Sequence, residues 1–340
     1  MGPAADTVPD GHDPASVALW PERPDKAFDR DIAQCSALLT AGRGPHYIAH
    51  ATYGLRDFGA GAPDRWAPGT TEQALDNAGS QLNLMVTQLD VACEPLDSGP
   101  LIRVVVQGDS GALFHFVKVP GQAFFAVLFD GAADAVHQAD RALAELARAS
   151  VERIGGRPLL WGGFTRRENS DELWVPYQAA KGAPGPVRPA FAGPGDDVPE
   201  AAAQACGAAL SPDDLHAIGI YRRGQVAWAT DIFETPALAP LFQRVTPKSR
   251  RRGYARVADQ VRLQTRRIYR LLEVTGSGRL ERLVLDVARG AIYALPLGGD
   301  DYLVGVTLVQ SRVDDADQKM RALHERILPL WQSSGTRPAQ

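Results

Sequence analysis

LIRVVVQGDSGALFHF, residues 101–116, and LERLVLDVARGAIYAL, residues 280–295, lie 179 positions apart and share their pattern. Leu101/Leu280, Arg103/Arg282, Val105/Val284, Gly111/Gly290 and Ala112/Ala291 are identical pairs. Each stretch reads as two strands of alternating or continuous apolar character joined by a short break, GDSG in one and Val287–Gly290 in the other. The same offset places Leu75 over Tyr254, Ala78 over Val257, Leu82 over Val261 and Leu89 over Ile268. One added residue then brings Arg141-Ala142-Leu143 over Arg321-Ala322-Leu323. Identities that share one hydrophobic phase across helix, strands and helix point to an internal duplication.

Working outward, each half carries the same order of elements. The first half predicts a helix over Asp25–Ala41, a strand at His46–Tyr53, and a helix from the Thr70/Thr71 cap to Cys93. Strands follow at Leu101–Gln107, Ala112–Val119 and Ala123–Phe129, and a helix from Asp134 to Arg153 closes the unit. Its one irregularity is Leu55–Pro63, too rich in Gly to read as a strand. The second half predicts a short helix (Glu200–Leu210), a hairpin of His216–Tyr221 with Val226–Phe233, and a long helix. Strands at Leu280–Val287, Ala291–Leu297 and Tyr302–Val309 and a helix over Asp314–Leu330 complete it. The expected division is a disordered lead-in over 1–24, a first domain over 25–156, a connection over 157–199, a second domain over 200–332 and a tail over 333–340. Within the connection, Lys181–Pro199 reads as Pro/Gly linker, while Trp161, Trp174 and Tyr177 need a surface to rest on.

The chain has 340 residues, 45% hydrophobic and 22% charged, enough apolar material for two cores. Its three cysteines, Cys35, Cys93 and Cys206, are odd in number and show no CxxC spacing, which argues for a reducing compartment and against structural zinc. No apolar run approaches transmembrane length and the first residues lack a signal-peptide core, so a cytoplasmic protein without membrane insertion is expected.

The net charge of -4 hides a concentration of positive charge. Between Arg244 and Arg282 stand 12 Lys and Arg against Asp259, Glu273 and Glu281, which is 12 − 3 = +9. At a helical step, Tyr254, Val257, Val261, Ile268 and Leu272 fall on one side of Arg250–Leu272. Arg252, Arg256, Arg266, Arg267 and Arg270 fall on the other, with Arg262 at the margin. The like-charged pairs Arg252/Arg256, Arg262/Arg266 and Arg266/Arg270 each oppose the helix by about 0.2–0.5 kcal/mol. A helix that tolerates this repulsion is set up to present charge. The matching face of the earlier helix (Gln73, Asn77, Asn83, Thr87, Gln88) is neutral.

The unit helix, two strands, helix, three strands, helix resembles the Roadblock/LC7 family, close kin of the longin fold, over roughly Asp25–Ile154 and Glu200–Leu330. The resemblance implies an α+β protein of two αββαβββα units, antiparallel sheets covered by helices, joined in an intramolecular pseudo-dimer with the middle helices side by side. Such proteins mostly lack catalytic groups and act as platforms for small Ras-like GTPases, and chains of this kind can associate further.

The residues themselves supply no rival chemistry. GDSG at Gly108–Gly111 echoes a serine-protease motif, but His50 is too close in sequence for that architecture, and the repeat sets the motif opposite a turn. The glycine pairs lack a P-loop lysine. His46 and His50 share a strand face without a Cys, Asp or Glu at ligand spacing, and His115 and His137 read as packing or surface residues. The expectation is therefore a protein without enzymatic activity, cofactor or metal. Its arginine helix would meet an acidic protein surface, for which guanidinium groups are suited by bidentate pairing with carboxylates. Two alternatives stand beside it. The stripe could bind nucleic acid or another polyanion, although no aromatic residues interleave it. It could also pair with acids of the first half and hold the lobes together.

Overall fold

The computed structural model describes residues 17–22, 24–42, 44–164, 188–192 and 198–334. The first half runs β1 (Ala18–Trp20), α1 (Asp29–Thr40), β2 (Tyr47–Thr52), β3 (Leu55–Gly61), α2 (Glu72–Cys93), β4 (Leu101–Gly108), β5 (Ala112–Val119), β6 (Gln122–Leu128) and α3 (Ala133–Arg153). The second runs β7 (Arg188–Ala192), α4 (Glu200–Ala209), β8 (Ala217–Arg222), β9 (Gln225–Asp231), α5 (Pro247–Val274), β10 (Leu280–Val287), β11 (Gly290–Gly298), β12 (Asp301–Thr307) and α6 (Val313–Ser334). The protein is α+β. Its strands make one antiparallel sheet in the order β1-β3-β2-β6-β5-β4-β10-β11-β12-β8-β9-β7. Read from the β4–β10 junction outward, the two sides list their strands in the same sequence.

Helices cover both faces. Alternation along β4 sends Val105 into the core beneath α1, α3, α4 and α6 and Val104 and Val106 into the core beneath α2 and α5, while the register shift between Leu101 and Arg103 turns Ile102 into the former core. Every residue of β4 is buried, as expected of a central strand covered on both sides. Each Val, Leu or Ile so placed contributes about 1.5–3 kcal/mol relative to exposure. α2 and α5 lie against each other on their face, with Gly253 of α5 seated on Leu96.

Short-range geometry repeats between the halves. The β2–β3 and β8–β9 hairpins both turn through two positive-φ residues, Tyr53-Gly54 (50° and 80°) and Arg223-Gly224 (53° and 83°). That is the turn whose twist matches paired strands. His46 and His216 precede β2 and β8 and make the same bonds. The amides of Phe129 and Leu308 donate to their Nδ1 atoms at 3.1 Å, and their carbonyls accept from Ala62 and Ile232.

At the junction Arg103 of β4 stands opposite Asp286 of β10. The Arg103 Nε donates to Asp286 at 2.9 Å, and a second guanidinium nitrogen donates to Asp140 of α3. Asp286 also accepts from the Gly162 amide and the Gln310 side chain, both at 2.7 Å. Asp140 and Asp286 hold the Arg103 guanidinium more firmly charged than usual despite its burial. Leu159–Phe164 crosses above this cluster, with the Phe164 ring 5.5 Å from the Arg103 guanidinium carbon. Trp161 is buried and donates to the Val117 carbonyl.

Several expectations need correction. Leu55–Gly61 is a strand after all. Its glycines are the floor for rings, since a Cβ on Gly59 would lie 2.8 Å from the Tyr47 hydroxyl and one on Gly61 2.7 Å from Trp66. The lead-in over 1–24 is not wholly without structure: Ala18–Trp20 pairs with Gly59–Gly61, while 1–16 lie outside the described residues. Within the linker expected over Lys181–Pro199, Arg188–Ala192 pairs with β9, and 181–187 and 193–197 lie outside the described residues. So do Trp174 and Tyr177, and the tail beyond 334. Trp161, expected to need a surface to rest on, begins a single 3-10 turn and is buried.

Candidate functional site

The site is built on α5. Thr246 caps it, its hydroxyl accepting from the Ser249 amide at 3.2 Å, and Pro247 opens the first turn. Tyr254, Val257, Val261, Ile268 and Leu272 face the sheet as the period predicts, and all are buried. With that face fixed, the outward face follows from helical geometry. Arg252, Arg256, Arg266, Arg267 and Arg270 are exposed.

The predicted row divides into three kinds. Arg252, Arg256, Arg266 and Arg270 make no ion pair among the described residues. Arg267 leans toward α2, where its Nη1 donates to the Gln88 side chain at 2.6 Å beside the Gln264–Gln88 bond of 2.9 Å. Arg262 turns to the other flank. It is half-buried over Gly224 and paired with Asp259 at 3.0 Å. The four unpaired guanidinium groups are therefore the open part of the site, and Arg262 stands apart from them.

Neighbouring arginines outside the row have internal work. Arg251 grips Asp231 with two nitrogens at 2.7 and 2.8 Å and reaches Glu234 at 3.2 Å. Those hydrogen bonds, led by Asp231, raise its pKa. Arg250 is buried with its guanidinium 5.2 Å from the Phe242 ring centre. Ion pairs between the halves include Arg103–Asp286, Arg244–Asp97, Arg279–Asp109 and Arg289–Asp97, none of them made by the row.

Sequence reasoning missed the apolar members of this surface. Leu263 is 52% exposed among the arginines, with Tyr269 and Val274 also exposed on α5 and Leu84 and Val91 on α2. The signal was available: these five lie off the apolar faces of their helices. Opposite them α2 offers Gln73, Asn77, Thr87 and Gln88, all exposed and uncharged. A basic, apolar-studded ridge thus lies beside a neutral one.

The remaining candidate groups fall elsewhere. Ser110 donates to Asp109 at 3.0 Å, and the turn docks on the α5–β10 loop through Ser110 N to Ser277 O (3.1 Å) and Asp109 N to Arg279 O (3.0 Å). His50 does acquire an acid, because the β2–β3 hairpin brings Asp57 to its Nδ1 at 2.7 Å. That carboxylate also accepts from Thr52 at 2.7 Å. His115 is buried and bonded to Asn83, whereas His137 is partly exposed and 3.5 Å from Asp314. Among the described residues no three His, Cys, Asp or Glu side chains come close enough to share a metal ion, and no helix is long and apolar enough to cross a membrane. Cys35, Cys93 and Cys206 are buried and unpaired.

A scan against models of known protein families finds no match to this chain, and a search of curated proteins finds none either.

Proposed function

We propose that the chain is a non-catalytic interaction platform of the Roadblock kind, an internal pseudo-dimer of two αββαβββα units. It binds an acidic protein face through the ridge of α2 and α5. By the resemblance, that partner is a small Ras-like GTPase, whose activity the platform localises or regulates. The observation that carries the reading is the set Arg252, Arg256, Arg266 and Arg270, exposed on one helix with no carboxylate paired to them among the described residues. Leu263 and Val274 add the apolar contact that such a charged row needs for a specific rather than a diffuse encounter. The mirrored strand order and the adjacency of the two middle helices support the pseudo-dimer.

The test is a binding titration of the full chain against purified small GTPases in both nucleotide states. Arg266→Glu combined with Arg270→Glu is expected to weaken binding at least about 100-fold, since two charge-assisted contacts become repulsive. The melting temperature should hold within the change that about 0.5 kcal/mol produces, because neither side chain has an ion-pair partner among the described residues. Binding that survives the double reversal overturns the proposal. A salt series on an RNA or DNA duplex separates the polyanion reading, which requires a steep loss of affinity with salt.

A further inference from the structure

The segment that crosses between the halves fills one of two matching grooves. With one residue added to the offset, α3 and α6 share Asp134/Asp314, Gln138/Gln318, Arg141/Arg321, Ala142/Ala322 and Glu145/Glu325 as identical pairs. The first turn of each helix and the outward side of the other thus define two grooves of like composition.

The groove between the start of α6 and Arg141 of α3 is occupied by Leu159–Phe164. Gly163 lies so close to the chain before α6 that a Cβ on it would come within 2.6 Å of the Gln310 carbonyl oxygen. The Phe164 ring centre is 5.9 Å from the Arg141 guanidinium carbon. Val313, beside this segment, is fully buried.

The other groove is open. It is lined by Ala133, Asp134 and His137 of α3 and by Gln318, Arg321, Ala322 and Glu325 of α6, and about 450 Å³ of it can be reached by the centre of a water molecule. Ala133, the counterpart of Val313, is exposed. The inner end of this groove is closed by the chain itself. Trp161 donates to the Val117 carbonyl on the filled side, whereas His324 meets the corresponding Pro296 carbonyl at 2.7 Å on the other. The place of the tryptophan is taken, and the place of Phe164 is free.

The lining says what fits there. Arg321 stands where Arg141 stands beside the Phe164 ring; its side chain is 26% exposed, 3.6 Å from Asp317. A partly exposed guanidinium is a ready partner for an aromatic face. Asp134 and Glu325 are exposed and make no ion pair among the described residues, so cationic side chains next to that ring would find carboxylates at the rim.

We propose that the open groove between α3 and α6 is a docking site for a partner's peptide segment, an aromatic residue followed by basic ones, whose ring meets Arg321 as Phe164 meets Arg141. The site lies on the face of the sheet away from α2 and α5 and is independent of their ridge. The chain itself carries a sequence of this kind, GGFTRR at residues 162–167, which supplies the probe.

The experiment adds acetylated and amidated GGFTRR peptide to the full-length protein and follows the backbone amides by 15N NMR. Half-saturation at about 1 mM is expected, with the amides of Ala133, Gln318 and Ala322 moving. GGATRR, without the ring, is expected to bind at least about tenfold more weakly, and GGFTQQ about threefold. Ala322→Trp plugs the groove from an exposed position and should abolish binding with the melting transition retained. Should that variant fail to fold, the comparison of GGFTRR with GGATRR on the natural chain decides. No shift at about 10 mM peptide overturns the proposal, as does equal binding of GGATRR or binding that Ala322→Trp leaves unchanged. Shifts confined to Gln138 and Ala142 also overturn it, because the peptide would then be replacing the chain's own Phe164. So do shifts of the groove amides with protein concentration alone, which would make a second copy the occupant.

Discussion

Side by side, the two halves agree where backbone is fixed and part company where side chains meet solvent or fill space. His46 and His216 hold the same amide at the same distance, and the two hairpin turns share their left-handed pair. Gly111 and Gly290 both approach the carbonyl of the third strand's end, at Leu128 and Thr307. Against this, the outward face of α2 is made of amides and that of α5 of guanidinium groups, while Ala51 and Ala123 stand where Tyr221 and Tyr302 stand in the other half. The lesson is that positions constrained by hydrogen-bond geometry tolerate little, whereas the surfaces and fillings that give each half its chemistry are free to differ.

The comparison can be broken most severely at the junction. Arg103 and Arg282 correspond by sequence offset, yet Arg103 serves two buried carboxylates and Arg282 serves Asp317, which has Arg321 as a second neighbour at 3.6 Å. Arg103→Met should therefore cost about 3–5 kcal/mol in a urea titration, because it strands Asp140 and Asp286 without a cation. Arg282→Met should cost about 1–3 kcal/mol. Equal losses would show that the junction is not the asymmetric keystone described above.

Next come the two glycines. A Cβ at Gly290 would lie 2.2 Å from the Thr307 carbonyl oxygen, and the residue sits at φ +136°, so Gly290→Ala should lose about 3 kcal/mol. At Gly111 the approach is 2.6 Å to Leu128, without the unfavourable φ, and about 1–2 kcal/mol is expected. A reversal of that order would mean that the two hairpins are not built alike.

The smallest effect is the most diagnostic of shared chemistry. Burial pushes His216 down to about 4, and its Nδ1 is occupied by the Leu308 amide while Nε2 faces the Pro212 carbonyl. The unfolded chain takes up a proton near pH 6.5 and the folded one does not until about 4, so this residue's contribution to stability is lost as pH falls through that window. Asp286, raised to about 6 by burial, works in the opposite sense over the lower part of the range. His216→Gln should make the dependence of stability on pH shallower by about one proton between pH 6 and 4.5, read from melts at constant ionic strength. An unchanged slope would remove His216 from the account.

Much of this architecture could be read from the chain alone. The apolar period of Arg250–Leu272 located α5 and its buried face, and the 179-residue offset aligned β4–β5 with β10–β11 because these strands share their apolar positions. What failed did so for physical reasons. Gly59 and Gly61 look like a loop until the rings of Tyr47 and Trp66 are placed over them. Ala18–Trp20 and Arg188–Ala192 are too short to show a period, and their pairing depends on partners 39–43 and 36–43 positions away. The helical wheel sets Arg262 at the margin of the row, and it cannot know that the β8–β9 turn and Asp259 occupy that flank. The Asp57–His50 contact needed the β3 strand that its glycines concealed.

The two shortest strands carry a consequence of their own. β1, three residues long, and β7, five residues long, lie along the outermost long strands β3 and β9. An antiparallel sheet with bare rims is a template on which further copies can polymerise. Here each rim carries a short strip among the described residues, and Pro189 withholds an amide hydrogen within one of them. Among the described residues the ladder ends at these two strips, and the broad helix-covered faces lie apart from its rims.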